Sequence, residues 1–135
     1  MWTDLRSACA IIGGAYRTKE DGIALERCVT EMGMGVDVHG RDYTLAARRA
    51  VSDAIRHSSL NLFRILGKRR DDMRIQVVVG VPEPDKVDHH AVASELPYGS
   101  VTVSTQQGGL EVPNADGTDA IVIANAAVLV HFDMP

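Results

Sequence analysis

Hydrophobic and polar positions change period along this chain, and the changes mark out its elements. Residues 73–81 are β-branched and nearly continuously apolar, which predicts a strand covered on at least one face. Pro82 and Pro84 stop it. Earlier, from residue 42, the period lengthens. Leu45, Ala47, Ala50, Val51, Ala54 and Ile55 recur at helical spacing, predicting an amphipathic helix to about residue 58 with Asp42 as its N-cap. Arg48, Arg49, Asp53 and Arg56 fall on its other face. Residues 27–36 read as a strand leading into a glycine-rich turn. A second helix is predicted over 85–96, ended by Pro97 and Gly99. Residues 100–106 alternate, Val101 and Val103 against Thr102 and Ser104, and so form a strand. A long turn follows around Leu110 and Val112, then a last strand over 120–132 with a bulge expected near Asn125. Residues 60–67 read as a short apolar turn and 68–72 as a solvated loop.

This β-α-β-α-β-β order predicts an α+β layer, a mixed four-stranded sheet with two helices packed on one face. The domain is expected to span residues 25–135 behind an N-terminal arm of residues 1–24. Trp2, Leu5, Ile11 and Ile12 suit that arm to docking on a neighbouring subunit. The uncovered sheet face, expected to bear Val77, Val79, Ile121 and Ile123, has to be hidden. Burial against further copies is the simple solution, so a homo-oligomer is expected, a homotrimer in particular.

Composition narrows the function classes. With 135 residues, 45% of them hydrophobic and 24% charged, the chain can bury a real core. A net charge of −4 gives no general attraction for nucleic acid. No apolar run reaches the roughly 20 residues that span a bilayer, and the first residues make a poor secretory signal. A cytoplasmic protein is expected, with neither nucleic acid nor membrane as partner. Cys9 and Cys28 fit no metal or redox spacing and read as two reduced thiols.

Candidate chemistry concentrates in Glu31-Met32-Gly33-Met34-Gly35-Val36-Asp37-Val38-His39-Gly40. Alternate side chains of an extended chain share a face. Gly33, Gly35, Asp37 and His39 are then expected on one side, with Met32, Met34, Val36 and Val38 facing the core. Two glycines leave room for another molecule to approach the backbone. Asp37 beside His39 suits a general base, its imidazole oriented by the carboxylate, so these two are the candidate catalytic residues. Gly40 and Arg41 lead into a helix N-terminus that favours an anion. Equally, the glycines build a bulge, Asp37 caps a turn and His39 is structural. Two ligands are too few for a metal, and no metal or cofactor is expected. Gly108 and Gly109 can present N–H groups to an oxyanion with Glu111 nearby, or simply turn a hairpin. Asn125, an amide amid aliphatic residues, lines a site or satisfies a bulge.

The stretch from Glu31 to Gly40 resembles the GxGxDxHG signature of a small, Lin-type conserved hypothetical family of bacteria and plants. The likeness continues through residues 46–60, 79–82, 97–99, 108–113 and 123–128, covering roughly 28–133. The family brings no settled activity with it. By analogy alone, the arrangement is similar to subunits of RidA-like and chorismate-mutase-like trimers, and to single domains of cyanuric acid hydrolase and barbiturase. Those hydrolases use serine and lysine pairs. Here Ser104 is separated from Gly108-Gly109, and no lysine lies in a comparable strand. Together these readings point to a homo-oligomer binding a small anionic, carbonyl or amide metabolite in a cleft between subunits. Its chemistry would be proton transfer or ring-amide hydrolysis. The alternative is a non-enzymatic structural or regulatory subunit whose glycine motif builds the interface.

Overall fold

Two long strands frame the molecule. In a computed structural model that describes residues 17–20, 23–56 and 72–134, β2 (Ile23–Asp37) and β6 (Ala120–Met134) pair antiparallel along most of their length. β1 (Arg17–Glu20) precedes β2 and pairs with its start. Helix α1 (Tyr43–Arg56) follows β2, then β3 (Arg74–Val81), a 3-10 turn (Pro84–Lys86) and the short helix α2 (His89–Ala93). β4 (Ser100–Gln107) and β5 (Leu110–Pro113) precede β6. The sheet order is β1-β2-β6-β3-β4, with β5 also on β6. β3 and β4 are parallel and the other pairs antiparallel, so the sheet is mixed.

The expected α+β layer is therefore present, but the sheet exceeds four strands. β1 lies inside the stretch read as an arm, and β5 inside the stretch read as a turn. The second helix is shorter than expected because the 3-10 turn Pro84–Lys86 ends at an extended Val87, and Asp88 then caps a new start through the N–H groups of His90 and Ala91. The irregularity expected near Asn125 instead sits in β2, where the register shifts between Arg27 and Val29. Cys28, at that shift, is fully buried and disulfide-bonded, which corrects the reading of it as a reduced thiol. Cys9, the apolar arm residues and the apolar turn at 60–67 lie outside the described residues.

The core sits between the helices and one sheet face. Ala46, Ala47, Ala50, Val51 and Ala54 of α1 pack on Val77, Val79, Val122, Ala124 and Val128, with Val92 of α2 in the same cluster. Val77 and Val79 are thus under the helices and not on the open face; their strand buries every second residue, and that parity belongs to the helix side. The opposite face carries Met32, Met34 and Ile121 in the open.

Candidate functional site

The glycine motif is first of all a strand-to-helix connection. A Cβ added to Gly33 would lie 2.3 Å from the Ala50 carbonyl oxygen, and one added to Gly35 would lie 2.2 Å from that of Ala46. The alanine stripe of α1 occupies the space that two missing side chains leave, so helix and strand backbones nearly touch. This reverses the expected faces. Gly33, Gly35 and Asp37 look toward the helix, while Met32, Met34 and Val38 are 73%, 54% and 52% exposed. Asp37 is buried and accepts the Asp42 N–H at 2.9 Å, with Arg49 at 4.0 Å. Asp42 in turn accepts the Leu45 N–H at 2.9 Å, the N-cap contact that the sequence predicts. Gly40 (φ 89°) and Arg41 (φ 49°) turn the chain between them in the left-handed region, a conformation costly for arginine.

His39 does not meet Asp37. It is exposed, and its Nδ1 lies 3.2 Å from Asp119 of the turn before β6. Asp119 also accepts the N–H groups of Gly40 (2.9 Å) and Ala120 (2.8 Å). Those two donors, then His39, hold its carboxyl below the usual range. His39 and Asp119 border a small cavity of about 280 Å³ with Val38, Val112 and Ile121.

Arg41 and Glu111 form a separate polar knot. Arg41 lies 3.6 Å from Glu111, which accepts the Tyr43 hydroxyl. Lys86 pairs with Glu83 at 2.7 Å and stands 5.7 Å over the Tyr43 ring. Burial, then the hydrogen bond to Glu111, pushes the Tyr43 hydroxyl well above its usual value, so it stays a donor. Lys86, then Tyr43, holds the Glu83 carboxyl below its usual range. Two cations and two anions balance, so the knot ties β5 to the start of α1 and leaves no net charge for an anion.

The remaining candidates meet on the open sheet face. A wide, shallow groove of about 590 Å³ crosses β2, β6, β3 and β4. Asn125 stands in its middle, paired across the ladder with Met34 on one side and Gly80 on the other. Gly80, Gly108 and Gly109 give it a floor of bare backbone, Met32, Met34 and Val78 apolar sides, and Gln106 a second amide. A Cβ on Gly80 would meet nothing closer than the Gly108 Cα at 3.5 Å, an ordinary contact, so no clash requires a glycine here. Asp53, the charged residue at the rim, is engaged by the Met34 N–H at 3.0 Å.

Of the sequence candidates, Gly33, Gly108, Gly109 and Asn125 line this groove. Gly35, Asp37, Gly40, Arg41 and Glu111 serve the connection and the knot, and His39 the smaller cavity. Gln106 lies in the same stretch as Gly108 and Gly109; Gly80 had no expected role, although a lone glycine inside a valine-rich strand is a signal of close approach. Among the described residues no group of three His, Cys, Asp or Glu side chains is placed to hold a metal ion, and no helix is long and apolar enough to cross a membrane.

A crystal structure of an FtsZ-like protein of unknown function from Nostoc punctiforme is similar over 84% of this chain and all of its own length. The two share 36% identity, with a TM-score of 0.75. No functionally curated protein matches. The model of the conserved hypothetical protein family Lin0512_fam matches residues 27–130, which include the glycine connection, the groove residues and all of α1. The chain belongs to that family.

Proposed function

We propose that this protein is a homo-oligomeric binding domain that takes a small neutral amide or carbonyl compound in the groove on its open sheet face. The observation that carries this reading is the position of Asn125. It is an exposed amide at the centre of a 590 Å³ groove, with a glycine floor and apolar sides. An amide side chain offers one acceptor and two donors and reads a ligand amide in both senses. Gln106 supplies a second such group. Among the described residues the groove carries no cation, and Arg41 is paired with Glu111, which favours a neutral ligand over an anion. The exposed Met32 and Met34 make the side of the groove apolar, as a largely apolar ligand with one polar group requires.

The test is a thermal-shift panel of lactams, cyclic imides and simple carboxylic acids. Amides and imides raise the melting temperature, carboxylates do not, and Asn125→Ala weakens the amide response about tenfold, the value of one or two lost hydrogen bonds. A panel with no amide response, or an unchanged response in Asn125→Ala, rejects the groove as the site. A second reading is assembly alone, favoured by the same exposed methionines. It predicts that Met34→Asp changes the oligomer while no compound binds.

A further inference from the structure

The two long edges of the sheet are treated differently. On β2, beyond the reach of β1, the Met34 N–H donates to Asp53 at 3.0 Å and the Val36 carbonyl accepts from Arg49 at 2.6 Å. Side chains one helical turn apart on α1 thus occupy two of the outward groups of that edge. β4 has no such cover: among the described residues it pairs with β3 alone. Its geometry follows from its two ends. The Ser100 N–H donates to Met73 at 2.9 Å and the Gly108 N–H to Val81 at 3.0 Å. Even-numbered residues therefore bond inward, and Val101, Val103, Thr105 and Gln107 aim their N–H and C=O groups out of the sheet. Ser100–Gln107 contains no charge and no proline, the usual means of blocking an edge.

We propose that β4 is where a second copy of this chain joins, antiparallel about a two-fold axis through Ser104, so that the two sheets become one. That register sets Val101 opposite the partner's Gln107 and Val103 opposite the partner's Thr105, and it pairs every outward backbone group of β4. Val101 and Val103 pack on the core cluster, so the helix side of one copy continues into the helix side of the other. The polar Thr102, Ser104 and Gln106 continue the open face in the same way. The α1 side chains on the Met34 N–H and the Val36 carbonyl disfavour a head-to-tail ring in which β4 would meet β2, and so favour a self-complementary contact over the expected trimer. The inference deepens the binding reading in one respect, on which it rests only there: the partner's Thr102 comes to stand beside Gln106 and lengthens the groove.

Sedimentation equilibrium across the micromolar range tests it, with circular dichroism confirming the fold of each variant. Wild type sediments as a dimer. Ser104→Lys opposes two ammonium groups across the axis and weakens the dimer about tenfold or more. Thr105→Pro removes an outward N–H, leaves the ladder to β3 intact and has the same effect. Met34→Asp, on the open face, remains dimeric. A monomeric or trimeric wild type overturns the proposal, as does a Ser104→Lys protein that stays dimeric or a Met34→Asp protein that dissociates. If Thr105→Pro fails to fold, Ser104→Lys decides. Ligand response is read separately by thermal shift, so an amide-binding monomer rejects the pairing and keeps the site, whereas a dimer without amide response does the reverse.

Discussion

At the scale of single residues, the glycines divide into two kinds that look alike in sequence. Gly33 and Gly35 are fixed by the helix backbone 2.2–2.3 Å from any added Cβ, whereas Gly80 has ordinary contact distance around it. Gly35→Ala is therefore expected to cost about 3 kcal/mol, because backbone on both sides leaves nothing flexible to yield. Gly80→Ala should leave stability within about 1 kcal/mol of wild type while placing a methyl on the groove floor and reducing amide binding. Urea melts and thermal-shift titrations of the two variants check this. Equal destabilisation would show that the two glycines are not different in kind. The sequence made the motif visible but not its facing. Met32, Met34 and Val38 are apolar and read as core, while glycine carries no side chain to say which way it points. The missing cue lay further along the chain, in Ala46, Ala50 and Ala54, a stripe small enough to bring a helix onto bare strand.

Among the elements, α1 was legible because its period, its N-cap and its apolar face all agree, and Asp42 caps it as expected. β5 was not, since four exposed residues that follow two glycines and end in a proline look the same as turn. Asp37 left two readings open, a catalytic base and a turn cap, for a related reason. A carboxylate two residues from a histidine suggests a dyad, but the strand ends at Asp37 and the alternation of faces ends with it. Asp37 supports the cap from below by accepting the Asp42 N–H. Asp42→Ala should cost about 1 kcal/mol, as lost caps do. Asp37→Ala should cost about 2 kcal/mol, because it leaves a donor without its acceptor in a part-buried place. The double variant should lose less than the sum, since the two carboxylates act on one turn. Urea melts at neutral pH measure all three. Unchanged stability in Asp37→Ala, with loss of ligand response, would return Asp37 to the role of a catalytic base.

For the molecule as a whole, the response of stability to acid turns on His131, in the central strand. Its Cα partners across the ladders are Arg27 on β2 and Arg74 on β3, and its Nδ1 lies 3.3 Å from the Arg74 carbonyl. That oxygen can only accept, so Nδ1 carries the proton and donates. Burial, reinforced by the Arg27 guanidinium, lowers the imidazole below its ordinary value of 6.5. Folded protein then binds fewer protons at this site than unfolded chain. Stability is accordingly full above pH 6.5 and falls as pH drops from there toward the lowered folded value. The lowered carboxyls of Glu83 and Asp119 act in the same direction, but only below their ordinary values of 4.5 and 3.8. Among the described groups with a shifted value, only His131 acts between pH 6.5 and 4.5, since Glu83, Asp116 and Asp119 act below their ordinary carboxyl values. His131→Asn keeps an N–H donor near the Arg74 carbonyl and removes the titration. Urea midpoints measured from pH 8 to pH 5 should decline for the wild type and stay level for His131→Asn. An equal decline in both would place the acid sensitivity elsewhere and leave His131 a packing residue only.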